Sequence, residues 1–181
     1  MSTHPVSQPG SSAVGSLYGR QDDAAALRAA WSTTCDGAGG LALITGEAGI
    51  GKTALAQDFA EACQQRRATV LTATCYEGEQ TLAYAPVVQL LRAALHDPSL
   101  RGRMAAVSSL WLVEARRLLP EIDQLVPGLP ADAPVDLVTA QTRFFDGINY
   151  TLQGLCVAAL PAVLLFDDIH HADSATLDLL S

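Results

Sequence analysis

The chain has 181 residues, 49% of them hydrophobic and 17% charged, with a formal net charge of −8. That length suits one domain with a core of its own, and the composition is globular, not disordered. So acidic a chain is poorly suited to hold nucleic acid by itself, because affinity for a phosphate backbone rests on clustered lysine and arginine. The ten arginines are scattered, apart from the pairs Arg66-Arg67 and Arg116-Arg117, and Lys52 is the only lysine.

Residues 1–16 are rich in Ser, Gly and Pro and read as a flexible tail, which leaves residues 17–181 as the domain. A helix is predicted from Gln21 to Trp31, with acids in its first turn. The loop "CDGAGG" leads into Leu41–Thr45, a short apolar run between turn signals that predicts a buried strand. Lys52–Gln65 has a helical pattern, and the β-branched, alternating Thr69–Thr74 predicts a second strand. Pro86 opens a helix to about Leu95. Met104, Val107, Trp111, Ala115 and Leu118 then recur at helical spacing, as expected of a helix packed on the core.

A proline-broken connection, "PEIDQLVPGLPADAP", precedes a long predicted helix from about Val135 to Leu160. Its core stripe is Phe145, Ile148, Leu152, Leu155 and Ala159. "AVLLFDD" reads as a fully apolar strand that ends in two acids, and a further helix starts at Ser174. Strand, helix, strand, helices, strand is the order of an α/β fold with a parallel sheet. The longest apolar run, Leu155 to Phe166, is interrupted by Pro161 and falls short of the roughly 20 residues a bilayer needs. The N-terminus lacks the basic start and apolar centre of a signal peptide, so a cytoplasmic location is expected. Cys35, Cys63, Cys75 and Cys156 show no metal-ligand spacing and read as reduced, mostly buried small residues.

Gly46-Glu47-Ala48-Gly49-Ile50-Gly51-Lys52-Thr53 fits the pattern GxxxxGK[ST], between a predicted strand and a predicted helix. Its glycines let the backbone wrap closely, so that successive N–H groups point into one anion-binding hollow. The helix that starts there adds its free N–H groups and positive dipole end. Lys52 would place a slim, mobile charge on the β- and γ-phosphates of ATP, and Thr53 a hydroxyl on Mg²⁺. A chain that otherwise uses arginine keeps lysine where a compact ammonium serves better than a planar fork.

A phosphate loop needs a magnesium partner on a neighbouring strand, and Asp167 is placed to be that metal ligand. Asp168, the next residue, is the candidate to orient an attacking water, which makes it and Lys52 the expected catalytic pair. Two other readings of this corner exist. Asp168 could simply cap the following turn. Asp167, Asp168, His170, His171 and Asp173 could instead form a two-metal phosphoesterase site, although such hydrolases need no phosphate loop. Asp173 also has a structural role open to it, as N-cap of the last helix.

Taken together, "LYGRQDDAAAL", "GEAGIGKT" and "LLFDDIHHAD" resemble the ATP-binding domain of STAND-type P-loop ATPases, within the AAA-type class. The similarity is strongest to large LuxR-type bacterial transcriptional regulators, and it runs from about residue 17 to the end. It implies that Leu17, Tyr18, Gly19 and Arg20 form a box beside the adenine. It implies that Gly46 to Thr53 holds the phosphates and that Asp167 and Asp168 serve magnesium and water. That family usually has Trp where this chain has His171. The resemblance further implies a three-layer P-loop NTPase of the additional-strand type, with one more strand between the phosphate-loop strand and the acidic strand. That strand comes later in the chain, so the fold is expected to be incomplete at the C-terminus. Leu41–Thr45 and Val163–Phe166 would then either face each other across a gap or pair directly.

The function implied is a slowly hydrolysing ATP–Mg²⁺ switch in a signal-transducing transcriptional regulator, whose partners are downstream regulatory and DNA-binding segments. No direct nucleic-acid or membrane binding is expected of this chain. The runner-up is a P-loop kinase that passes the γ-phosphate to a small acceptor, although no arginine-rich lid is evident. A nucleotide-binding module without turnover is the third reading.

Overall fold

The computed structural model describes residues 20–131, 137–156 and 161–181. Two strands, β1 (Thr69–Thr74) and β2 (Ala162–Asp167), pair in parallel, with Leu71 opposite Leu164 and Thr74 opposite Asp167. Helices cover both faces of this sheet, which is the α/β arrangement expected. On one side lies α2 (Lys52–Gln65), against which α1 (Gln21–Cys35) packs. On the other lie α3 (Ala85–His96), α4 (Pro98–Ala105), α5 (Ser109–Arg116), the one-turn α6 (Ile122–Leu125) and α7 (Leu137–Leu155). The last helix, α8 (Ser174–Leu180), follows a 3-10 turn at Ile169–His171 and touches α3.

Strand alternation decides which side each residue serves. Leu71, Ala73, Leu164 and Phe166 face the large core, where Val87, Leu90, Met104, Leu112, Leu119 and Ile148 are fully buried. Asp167 has the opposite parity and faces α2. The stripe predicted for the long helix holds, since Ile148, Leu152 and Leu155 are buried and Phe145 packs on the core. Ala159, at the end of that stripe, lies outside the described residues.

α5 and α7 approach each other unusually closely. A Cβ added at Gly147 would lie 2.4 Å from Glu114 Cβ, and one at Gly154 would lie 2.4 Å from Val107 Cγ2. In the seam Glu114, only 4% exposed, is flanked by Arg117 Nη1 at 3.0 Å and Arg143 Nε at 2.7 Å. The Arg143 N–H is not aimed along that contact, so it acts through charge and not as an aligned hydrogen bond. Trp111 stacks on Tyr150 at 4.5 Å and closes the outer edge of the seam.

Two expectations are corrected. The helical spacing from Met104 to Leu118 does not belong to one helix, because the chain turns between α4 and α5, where Ser108 Oγ accepts from Leu110 N and restarts the helix. β2, apolar up to its closing acid as expected, is half-buried along its whole length, because among the described residues only β1 pairs with it. The second correction concerns the phosphate-loop flank. Leu41–Thr45 forms no strand, and Leu41 is 94% and Leu43 72% exposed. An apolar run becomes a strand only where its N–H and C=O groups find an edge. The two described strands pair with each other, and Leu41–Thr45 does not pair with β2.

Candidate functional site

Residues 46–53 form the turn that the sequence predicts. Gly46, Gly49 and Gly51 have φ of 151°, 77° and 88°, values that favour glycine, and Gly51 caps α2 in the left-handed region. A Cβ added at Gly49 or Gly51 would meet nothing within 4 Å, so the loop encloses open space. α2 begins at Lys52 with no side-chain cap, which leaves the N–H groups of its first turn to this hollow. Lys52 Nζ reaches back to Gly46 O at 3.1 Å and Glu47 O at 3.0 Å. The only ammonium side chain of the protein is thus held across its own loop, where an anion would meet it.

One residue further on, Thr53 Oγ1 donates to Asp167 Oδ1 at 3.1 Å. This contact joins residues 114 positions apart and follows from the fold: α2 lies over the sheet face to which Asp167 is turned. A hydroxyl and a carboxylate together are the hard oxygen donors that magnesium favours, and the phosphate hollow lies next to them. The residues present therefore fit a magnesium–nucleotide. Asp167 Oδ1 also accepts from Asp168 N at 3.0 Å, and its carbonyl accepts from Cys75 N at 3.0 Å. Its backbone is thereby tied to the residue that follows β1, while its carboxylate is held by Thr53 and the Asp168 amide.

Asp168 is exposed and has φ of 52°, a left-handed conformation rare outside glycine. The tight turn that follows, with His171 N donating to Asp168 O at 2.9 Å, imposes it. Asp168 stands at the N-cap position of that turn but makes no side-chain cap hydrogen bond, whereas Asp173 caps α8 with its carboxylate. Asp173 Oδ1 accepts from Thr176 N at 2.8 Å and from Tyr84 N at 3.1 Å, and its Oδ2 accepts from Thr176 Oγ1 at 2.6 Å. Burial alone would raise the Asp173 carboxyl, but these donors outweigh it and hold the group below its ordinary value. Among the described residues no three His, Cys, Asp or Glu side chains converge as a ligand set. The five-residue cluster of the phosphoesterase reading is therefore dispersed: Asp173 turns inward, and the His170 and His171 rings lie against each other at 3.9 Å.

Of the expected adenine-side box, Leu17, Tyr18 and Gly19 lie outside the described residues. Arg20 is described. Its Nε bonds Asp23 Oδ2 at 2.9 Å, while its buried Nη1 has no hydrogen-bond partner among the described residues. Arg20 and Asp23 stand at one end of a groove of about 300 Å³ between α1 and the phosphate-loop flank. Leu27, Leu43, Thr45 and Leu55 line the rest. Sequence reasoning missed this groove, because its apolar wall comes from the run assigned to a buried strand.

It also missed Gln89, whose amide accepts from Thr74 N at 3.1 Å and donates to Thr74 O at 3.0 Å. The side chain thereby prolongs the sheet at the point where β1 meets Asp167. A glutamine in a helix carries no signal of such a role.

A family model described as an AAA ATPase domain matches residues 16–181. An uncharacterized protein of Rhizobium meliloti (strain 1021) is 25% identical over 175 residues, which is 92% of this chain and 17% of that protein's length. The chain thus spans about a sixth of the relative it matches. No solved structure matches it significantly.

Proposed function

Because the chain belongs to the AAA ATPase domain family, we propose that it binds ATP with magnesium at Gly46–Thr53 and serves as the slowly hydrolysing switch of a signal-transducing transcriptional regulator. The observation that carries the binding is the contact of Thr53 Oγ1 with Asp167 Oδ1 beside the glycine hollow that Lys52 spans. Lys52 exchanges two neutral carbonyls for phosphate oxygens, a gain because charge-assisted contacts are among the strongest polar interactions. The backbone N–H groups from Glu47 to Gly51 and the first turn of α2 hold the remaining phosphate charge. Thr53 and Asp167 hold the magnesium, which when bound neutralises charge on the β- and γ-phosphates.

Asp168, exposed and one residue beyond the metal acid, orients the attacking water. Its strained φ supports a functional position, as such strain persists where the surroundings impose it. Arg20 and the groove beside it take the adenine side, its Nη1 having no hydrogen-bond partner among the described residues. The finer fold is the additional-strand form of the P-loop NTPases. The exposed Leu41 and Leu43 are then an apolar patch that further polypeptide of the regulator covers. The regulatory and DNA-binding segments belong to that same polypeptide. The small share of the Rhizobium meliloti protein that this chain spans is in keeping with it.

Calorimetric titration with ATP–Mg²⁺ tests the reading. Lys52→Ala should weaken binding about 10- to 100-fold, the equivalent of one charged hydrogen-bonding group, with the unliganded thermal midpoint unchanged. Asp168→Asn should spare binding and lower phosphate release. Equal affinity in a folded Lys52→Ala protein would refute the site.

A further inference from the structure

α1 and α2 meet in layers with one constant offset. Leu27 and Leu55 line the same groove. Four residues further along both helices, the rings of Trp31 and Phe59 meet edge to face with centroids 6.2 Å apart. The two helices therefore run parallel, side by side, and the chain returns between them through residues 36–51. Four residues on again, the same two stripes carry Cys35 and Cys63, which the constant offset assigns to the next layer. Both thiols are free, Cys63 buried and Cys35 exposed. Each sits in the last turn of its helix, where the backbone yields most easily to the geometry a disulfide demands. Burial pushes the Cys63 thiol up, Arg66 pulls it down, and the charge of Cys35 pushes it up again, so the two sulfurs sense each other.

We propose that Cys35 and Cys63 are a peroxide-responsive thiol pair that closes into a disulfide and staples α1 to the phosphate-loop helix α2. Cys35, the exposed member, is the sulfur a peroxide reaches. Its thiolate attacks one oxygen of hydrogen peroxide, the O–O bond breaks, and a sulfenic acid and hydroxide result. The Cys63 sulfur then attacks the Cys35 sulfur. The S–S bond forms as the S–O bond breaks, and the departing hydroxide takes up the Cys63 proton as water. Two thiols have lost two electrons in all, and the peroxide has gained them. The staple would fix α1, which begins beside Arg20, to the helix that begins with Lys52 and Thr53. A reductant reverses it.

The test treats the full chain with hydrogen peroxide, alkylates the remaining thiols, and maps the peptides by mass spectrometry without reduction. The expected result is a monomer with one Cys35–Cys63 peptide pair, lost on treatment with dithiothreitol. Cys35→Ser, at an exposed position, should leave Cys63 reduced, while Cys75→Ser and Cys156→Ser should leave the pair intact. Cys35 driven to sulfinic acid with Cys63 still a thiol would overturn the proposal. So would a Cys35–Cys35 dimer, or Cys35 joined to Cys75 or Cys156.

Discussion

Between α5 and α7 the helices come so close that no Cβ fits at Gly147 beside Glu114, and at Gly154 of α7 the space is likewise filled by Val107, just ahead of α5. Between α1 and α2, by contrast, every residue from Asp36 to Ile50 except Ile44 is exposed. The two regions have comparable apolar content, so composition does not separate them. Leu112 and Ile148 are held because helices carry their own backbone hydrogen bonds and need only a face to pack on. Leu41 and Leu43 need a partner strand before they can be buried at all. The helical half is therefore shaped by packing, and the phosphate-loop half is left to be shaped by what binds it. In the AAA ATPase domain that ligand is a nucleotide.

The largest effect should come from cutting into the packed side. Leu112→Ala, at a fully buried position, should cost about 2–5 kcal/mol of unfolding free energy, whereas Leu41→Ala should stay within about 0.5 kcal/mol. Denaturant midpoints of the two variants measure the difference, and equal losses would break the contrast. A smaller effect is expected from adding a methyl group. Gly147→Ala forces α5 and α7 apart and should cost about 1–3 kcal/mol. Gly49→Ala meets open space and bears only the strain of its φ of 77°, about 1 kcal/mol. Thermal midpoints compared under one buffer would rank them.

Asp173 ties the corner after β2 to the core side, since it caps α8 and also holds the Tyr84 amide at the edge of the core. Its carboxyl lies below the ordinary value of 3.8 in the folded protein. A lowered folded value means that its contribution is fully present above the ordinary value and is lost as pH falls through the folded one. Stability should therefore decline below about pH 4, and Asp173→Asn should flatten that decline while lowering stability at neutral pH. An unchanged acid slope in Asp173→Asn would place the acid sensitivity elsewhere, for example at Asp97. That carboxyl is lowered by the Ser99 hydroxyl and by the Leu100 and Ser99 amides.

Much of this was legible from spacing alone. Lys52–Gln65 and Thr69–Thr74 form where helical periodicity and β-branched alternation place them, because each pattern reports a local period that packing then uses. The contact of Thr53 with Asp167 was also legible in outline, since a phosphate loop and an acidic strand end imply each other. What could not be read was anything that depends on an absent or distant partner. Leu41–Thr45 has the composition of a strand and lacks an edge. The break at Ser108 turns on a cap that competes with an otherwise continuous apolar period. The clamp of Gln89 on Thr74 is a tertiary contact with no local signature.

Hydrogen exchange on the unliganded chain and on the chain with saturating ATP–Mg²⁺ tests the central claim most directly. Amides from Glu47 to Thr53 should exchange rapidly without nucleotide and gain marked protection with it, while the amides of α5 and α7 should be slow in both states. The gain should disappear in Lys52→Ala. A nucleotide-induced protection confined to α5 and α7, or none at residues 46–53, would contradict the account.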